Sequence, residues 1–178
     1  MKRFSALGLT CLFLLPGIGC KSQAGAQRLD QFVGTWKAMQ TLGDARGVRI
    51  TSGSLTVKQP SADTITFGES SSVVTGVGSY GVPNMETRSF EVRLKQGAAD
   101  QYLLSLKVDS EAVLTDLPLS YSESEGFRGQ QTVMVNGKQQ PVTASIKKVG
   151  SGSVWKIAAE PGSGTKRIYE FELQEKTK

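Results

Sequence analysis

Chemistry needs side chains that move protons, attack carbonyls or hold metals, and this chain of 178 residues carries few of them. It contains no histidine, which removes the usual general base near neutral pH, every Ser-His-Asp or Cys-His relay, and the commonest zinc and haem ligand. The run Ser70-Ser71-Ser72 has the composition of a loop and no neighbouring base to activate a hydroxyl. Glu123 and Glu125 lack the spacing and the extra oxygen ligands of a calcium loop and read as a solvated turn. Two carboxylates working as acid and base would have to be fixed close together, and no motif supplies that. No catalytic residue, metal ligand or cofactor is expected, and an enzyme is the least favoured reading. Only two thiols remain, Cys11 and Cys20, and their position in the chain decides what they do.

Both cysteines fall in the first twenty residues. Lys2 and Arg3 form a charged start, residues 4–15 an apolar run, and Pro16 ends that run just before small residues, which is the layout of a secretory signal. The apolar run is too short for a membrane-spanning helix. Gly17-Ile18-Gly19-Cys20 resembles the lipobox of bacterial lipoprotein precursors, although Gly17 stands where that motif usually has Leu. The resemblance implies cleavage before Cys20, a diacylglycerol on its sulfur, and a lipid bilayer as partner. Acyl chains contribute about 0.8 kcal/mol per buried CH₂, so two or more make a durable anchor. In the sorting pattern of enteric lipoproteins Asp after the Cys favours the inner membrane. Lys21 stands there, so the expected place is the cell envelope, at the outer membrane, facing the periplasm or the cell surface.

The expected organisation is a signal peptide at 1–19, a lipidated Cys and polar tether at 20–28, and one domain at 29–178. Without Lys2 and Arg3, 19 basic residues face 16 acidic ones, and no basic cluster is interleaved with aromatics, so no nucleic acid partner is expected. With Cys11 removed and Cys20 acylated, the mature domain has no disulfide, and strand pairing and packing must hold it.

From residue 29 onward apolar and polar residues alternate between Gly, Pro, Asn and Ser punctuation, the period of half-buried strands. About nine strands are expected, with no helix longer than two turns. Phe90, Val92 and Leu94 alternate with Glu91, Arg93 and Lys95; Tyr102, Leu104, Leu106 and Val108 share a face; Asn136-Gly137 predicts a two-residue hairpin turn. Val48 and Ile50 are out of phase with Leu55 and Val57, which predicts a bulge or turn at residues 52–54. Residues 64–68 and 73–80 read as separate strands, and only 119–122 of the stretch 109–126 reads as strand. An all-β, up-and-down antiparallel barrel of eight to ten strands follows, because closure removes unpaired edges, with an open sandwich as the alternative.

Residues 29–37, with Phe32, Gly34 and Trp36, resemble the first strand of the lipocalin or broader calycin group, whose hallmark is Gly-x-Trp. The resemblance implies that Trp36 closes one end of the barrel and that an Arg of the last strand, Arg167, packs across it. The group's middle motif, Thr-Asp-Tyr, has only Thr115-Asp116-Leu117 as a counterpart, and no helix pattern follows the last strand. The function implied is non-catalytic binding of one small apolar or amphipathic ligand. Tyr80, Met85, Tyr102, Tyr121 and Met134 are residues that could line a mouth, though apolar residues at strand spacing are more often core. The alternative is a filled barrel serving as a structural or protein-interaction accessory of the envelope, with its protein partner unspecified.

Overall fold

The computed structural model describes residues 28–44, 47–78, 80–98, 100–135, 138–159 and 167–177. The signal segment, Cys20, most of the tether and the Asn136-Gly137 turn lie outside the described residues. After a helical turn at 28–30 the chain forms ten strands: β1 (Gly34–Asp44), β2 (Gly47–Ser61), β3 (Thr64–Val77), β4 (Pro83–Gln96) and β5 (Gln101–Val108) make the first half. The second half is β6 (Glu111–Ser122), β7 (Gly126–Val135), β8 (Lys138–Val149), β9 (Gly152–Ala159) and β10 (Arg167–Lys176).

Each strand pairs with its sequence neighbours, antiparallel, and β10 returns to β1, so the sheet closes into an up-and-down barrel. At the level of strand order and closure this fits a lipocalin-like barrel. Alternation does the work: Phe90, Val92 and Leu94 on β4 and Tyr102, Leu104 and Leu106 on β5 are buried, while Glu91, Arg93 and Lys107 face solvent. Burying each such side chain contributes roughly 1.5 to 3 kcal/mol, which lets the domain hold without a disulfide.

The two ends of the barrel differ. At the base the chain enters under the wall, with Leu29 and Phe32 buried. The Phe32 ring stands 5.2 Å from Trp155, Trp155 lies 5.0 Å from Phe67, and Tyr102 packs 4.8 Å from Phe127, mostly edge to face. Such pairs are worth about 0.5 to 1.5 kcal/mol each beyond their area. At the opposite end β1 runs out and β2 begins.

Three expectations give way. Strand β2 is continuous: its register with β1 runs unbroken from Asp44↔Gly47 to Gly34↔Val57, with no bulge at 52–54. Leu55 and Val57 keep the inward row, so Ile50 faces out and is 65% exposed. The inward row above Leu55 is then Gly53 and Thr51, which are small or polar, and this is why apolar phase misleads there. Strand β3 is likewise one strand, paired with β4 along its length through a single irregularity near Val74 and Gly76. Strand β6 begins at Glu111, eight residues before the expected start. Register shifts against β5 at Leu104/Leu106 and Leu106/Lys107, together with Asp116 at φ 49°, move the buried series from Leu114 to Leu117 and Leu119.

The wall is not evenly stitched. Among the described residues the β2–β3 ladder consists of Lys58↔Thr66 and Ser61↔Thr64, and the β6–β7 ladder of three rungs from Ser120↔Arg128 to Ser122↔Gly126. Both lie at the base.

Candidate functional site

The base holds the residues that carried the family resemblance. Gly34 opens β1 at φ 130°, a conformation that L side chains rarely adopt, and a Cβ there would stand 2.4 Å from Lys176 Cε. Glycine thus lets the Lys176 side chain cross the strand. Two residues on, Trp36 is buried and its Nε1 donates to the Phe32 carbonyl at 2.7 Å, pinning the incoming chain under the barrel. Lys176 Nζ lies 5.6 Å from the Trp36 ring centre, and the two residues are register partners. Trp36 therefore sits at one end of the barrel, but Arg167 does not pack across it. Arg167 begins β10, next to Ile168, which pairs with Gly43 at the far end of β1. Parity was right for Arg167, since it shares its face with Tyr169 and Phe171; its height along the strand was not. Thr115-Asp116-Leu117 forms part of the irregular β6: Asp116 accepts from Arg93 and from the Ser105 hydroxyl on the outer surface.

The entering chain is tied down a second time. Arg28 pairs with Asp100 in the β4–β5 connection and lies 4.3 Å over the Tyr121 ring. The Asp100 contact, its leading influence, makes the guanidinium give up its proton even less readily than usual. These contacts position the base.

Above the base the interior changes character. Phe90 on β4 and Phe171 on β10 face each other across the lumen at 4.9 Å, and Phe67 lies 5.4 Å from Phe171, so aromatic rings form a floor. Gln40 is the register partner of Phe171 on one side and of Thr51 on the other. It is only 2% exposed, and its Nε2 donates to Glu69 Oε2 at 2.7 Å, reaching past β2 to β3. Gly53 of β2 faces Ala38 in the inward row, water reaches it, and a Cβ built on it would have no atom within 4 Å. An amide and a carboxylate thus meet beside the aromatic rings, and open space borders Gly53 one step nearer the base. Sequence reasoning passed over Gln40 and Glu69; the signal was there in β1, where Gln40 continues the inward series of Trp36 and Ala38.

The residues expected to line a mouth do not gather. Tyr102 is fully buried in the base and Tyr121 lies half-buried beside it, while Tyr80 is 95% exposed in the β3–β4 connection. The side chains of Met85 and Met134 lie outside the described residues. A groove of about 450 Å³ runs outside the lumen, lined by the outward Ser70, Ser89, Glu91 and Lys107.

No family model matches the chain, and no curated protein matches it. Among solved structures it is similar to a de novo designed fluorescence-activating β-barrel, at 11% identity and a TM-score of 0.38, over 82% of this chain and 96% of that one.

Proposed function

We propose that this chain is a lipid-anchored envelope protein whose lipocalin-like barrel binds one small apolar or amphipathic molecule without transforming it. The observation that carries the binding role is the unequal interior: rings fill the base, whereas Gly53 in the inward row of β2 borders open space that water reaches. A barrel of this size has room either to fill or to hold one ligand, and the small or polar inward residues Gly53 and Thr51 favour the second. The anchoring role rests on the signal layout and on Cys20, whose acyl chains would hold the domain at the outer membrane. The lack of histidine and of a thiol in the mature chain argues against catalysis.

Native mass spectrometry of protein released gently from its membrane tests both halves. The expected result is an amino terminus at an acylated Cys20 and an extra small mass that leaves on denaturation. A chain with no adduct, and no uptake when offered lipid extract, would overturn the binding role. Tyr80 and Val82, exposed at 95% and 64% in the β3–β4 connection, favour the alternative of a protein-interaction domain. That alternative would instead recover an envelope protein in a pull-down that Tyr80→Ser abolishes.

A further inference from the structure

Beneath the barrel, Trp36 borders a hollow of about 140 Å³ whose other walls are Gln31 and Phe32 of the entering chain, Lys148 near the end of β8, and Ser151 and Ser153 on either side of Gly152, where β9 begins. Lys148 is exposed and continues the inward series of Val142, Ala144 and Ile146, which turns it under the barrel. Among the described residues it pairs with no carboxylate. Ser153 is 3% exposed, and its Oγ accepts from Trp155 Nε1 at 3.0 Å. An indole N–H only donates, so the serine keeps its own proton, and no acceptor for that proton stands among the described residues. A buried hydroxyl with an unused proton, in the same hollow as an unpaired ammonium, suits an oxyanion.

We infer that this hollow holds the phosphate of a bilayer phospholipid: Lys148 supplies the charge, the Ser151 and Ser153 hydroxyls donate to phosphate oxygens, and Phe32 and Trp36 back the glycerol. The bilayer is the source because the chain is tethered at this same end. Arg28, eight residues after Cys20, pairs with Asp100 at the base, and eight extended residues span at most about 28 Å. The source therefore rests on the anchoring proposed above, whereas the phosphate chemistry stands on the hollow alone. An adjoining hollow of about 270 Å³ shares Gln31, Phe32 and Lys148 but is also lined by Glu123 and Glu125, the second of them paired with Arg128. Those carboxylates repel an anion, so the phosphate belongs on the serine side of Lys148.

Protein extracted from its membrane into dodecyl maltoside, a detergent without phosphorus, serves for the test. The chain has two tryptophans and both border the site, Trp36 as a wall and Trp155 through its bond to Ser153, so their fluorescence reads occupancy. Dioleoylphosphatidylglycerol is expected to saturate the signal at about a tenth of the concentration that dioleoylglycerol needs, the effect of one charge-assisted contact. Lys148→Gln, at an exposed position, removes the difference. Lys107→Gln, which deletes an exposed cation on the outer wall, preserves it, and so separates the hollow from general attraction to an anionic micelle. Equal responses to the two lipids, or a difference that survives in Lys148→Gln, overturn the site. Inorganic phosphate is expected to bind about tenfold more weakly than the phospholipid, and equal affinity would overturn the bilayer as the source. A mass spectrum showing Cys20 without acyl chains would overturn the anchoring and that source together, while the two lipids still decide the phosphate site.

Discussion

Lys176 supplies the cation at the Trp36 ring, 5.6 Å from its centre, and does so from the last residue of β10 across a glycine at the first residue of β1. The Gly-x-Trp spacing thus has a mechanical meaning: Gly34 clears the path along which a side chain from the closing strand reaches the indole. Trp36→Ala is expected to cost about 3 to 5 kcal/mol, as for a large buried aromatic. Lys176→Gln should cost about 0.5 to 1 kcal/mol, the size of an exposed cation over a ring. Arg167→Gln, at the far end of the strand, should stay within about 0.5 kcal/mol. Urea midpoints of the three variants check the order, and an Arg167 effect as large as that of Trp36 would contradict the geometry.

Gly129 on β7 is fixed by crowding. A Cβ there would stand 2.2 Å from the Pro118 carbonyl oxygen and 2.6 Å from Leu119 Cδ2, where β6 and β7 overlap above their short ladder. Gly129→Ala is expected to destabilise by about 1 to 3 kcal/mol through overpacking, whereas Gly53→Ala, with open space around the new methyl, should be tolerated. Thermal melts of the pair give the contrast directly.

Asp63, in the β2–β3 connection, accepts from the Ser61 hydroxyl at 2.6 Å and from the Thr64 hydroxyl at 2.9 Å. These bonds, that from Ser61 first, hold its pKa below the ordinary value of 3.8. A carboxylate depressed on folding adds stability above its unfolded pKa, and the contribution disappears as pH falls through the folded one. The fall in melting temperature between about pH 4 and pH 2 should be shallower in Asp63→Asn than in the parent. Identical acid slopes would mean that the two hydroxyls do not favour the charged form.

If Cys20 carries the proposed anchor, Cys20→Ser should move the protein from the membrane fraction to the soluble one while leaving the melting temperature of the barrel unchanged, because Cys20 precedes the strands that begin at Gly34. Fractionation followed by a melt on the released protein measures both.

The fold was legible wherever burial and alternation agree. On β5 and on residues 90–94 of β4 every second residue is apolar and buried, so phase alone places Phe90, Val92, Leu94, Tyr102 and Leu104. Phase failed where the interior is not apolar. Ile50 looked like core because its inward-facing neighbour Thr51 did not, and the unbroken β1–β2 register settles the matter against hydrophobicity. On β6, left-handed Asp116 inserts a step that a two-residue period cannot express. The Gln40–Glu69 pair was hidden for the same reason: the two residues meet across β2, a relation among three strands that no local pattern encodes. Arg167 shows the complementary limit, since parity gives the face of a strand and only register gives the height.

The two short ladders have a consequence for motion. Strands β3 to β6 form one continuous sheet and β7 to β2, passing through the β10–β1 closure, form another, and among the described residues the ladders that join the two lie near the base. Such a wall behaves as a clasp hinged at its aromatic end, with the Gln40–Glu69 bond as a latch across one seam. Protection of amides against deuterium should therefore fade from Lys58 and Ser120 toward the rim, while the amides beside the locked rings stay protected.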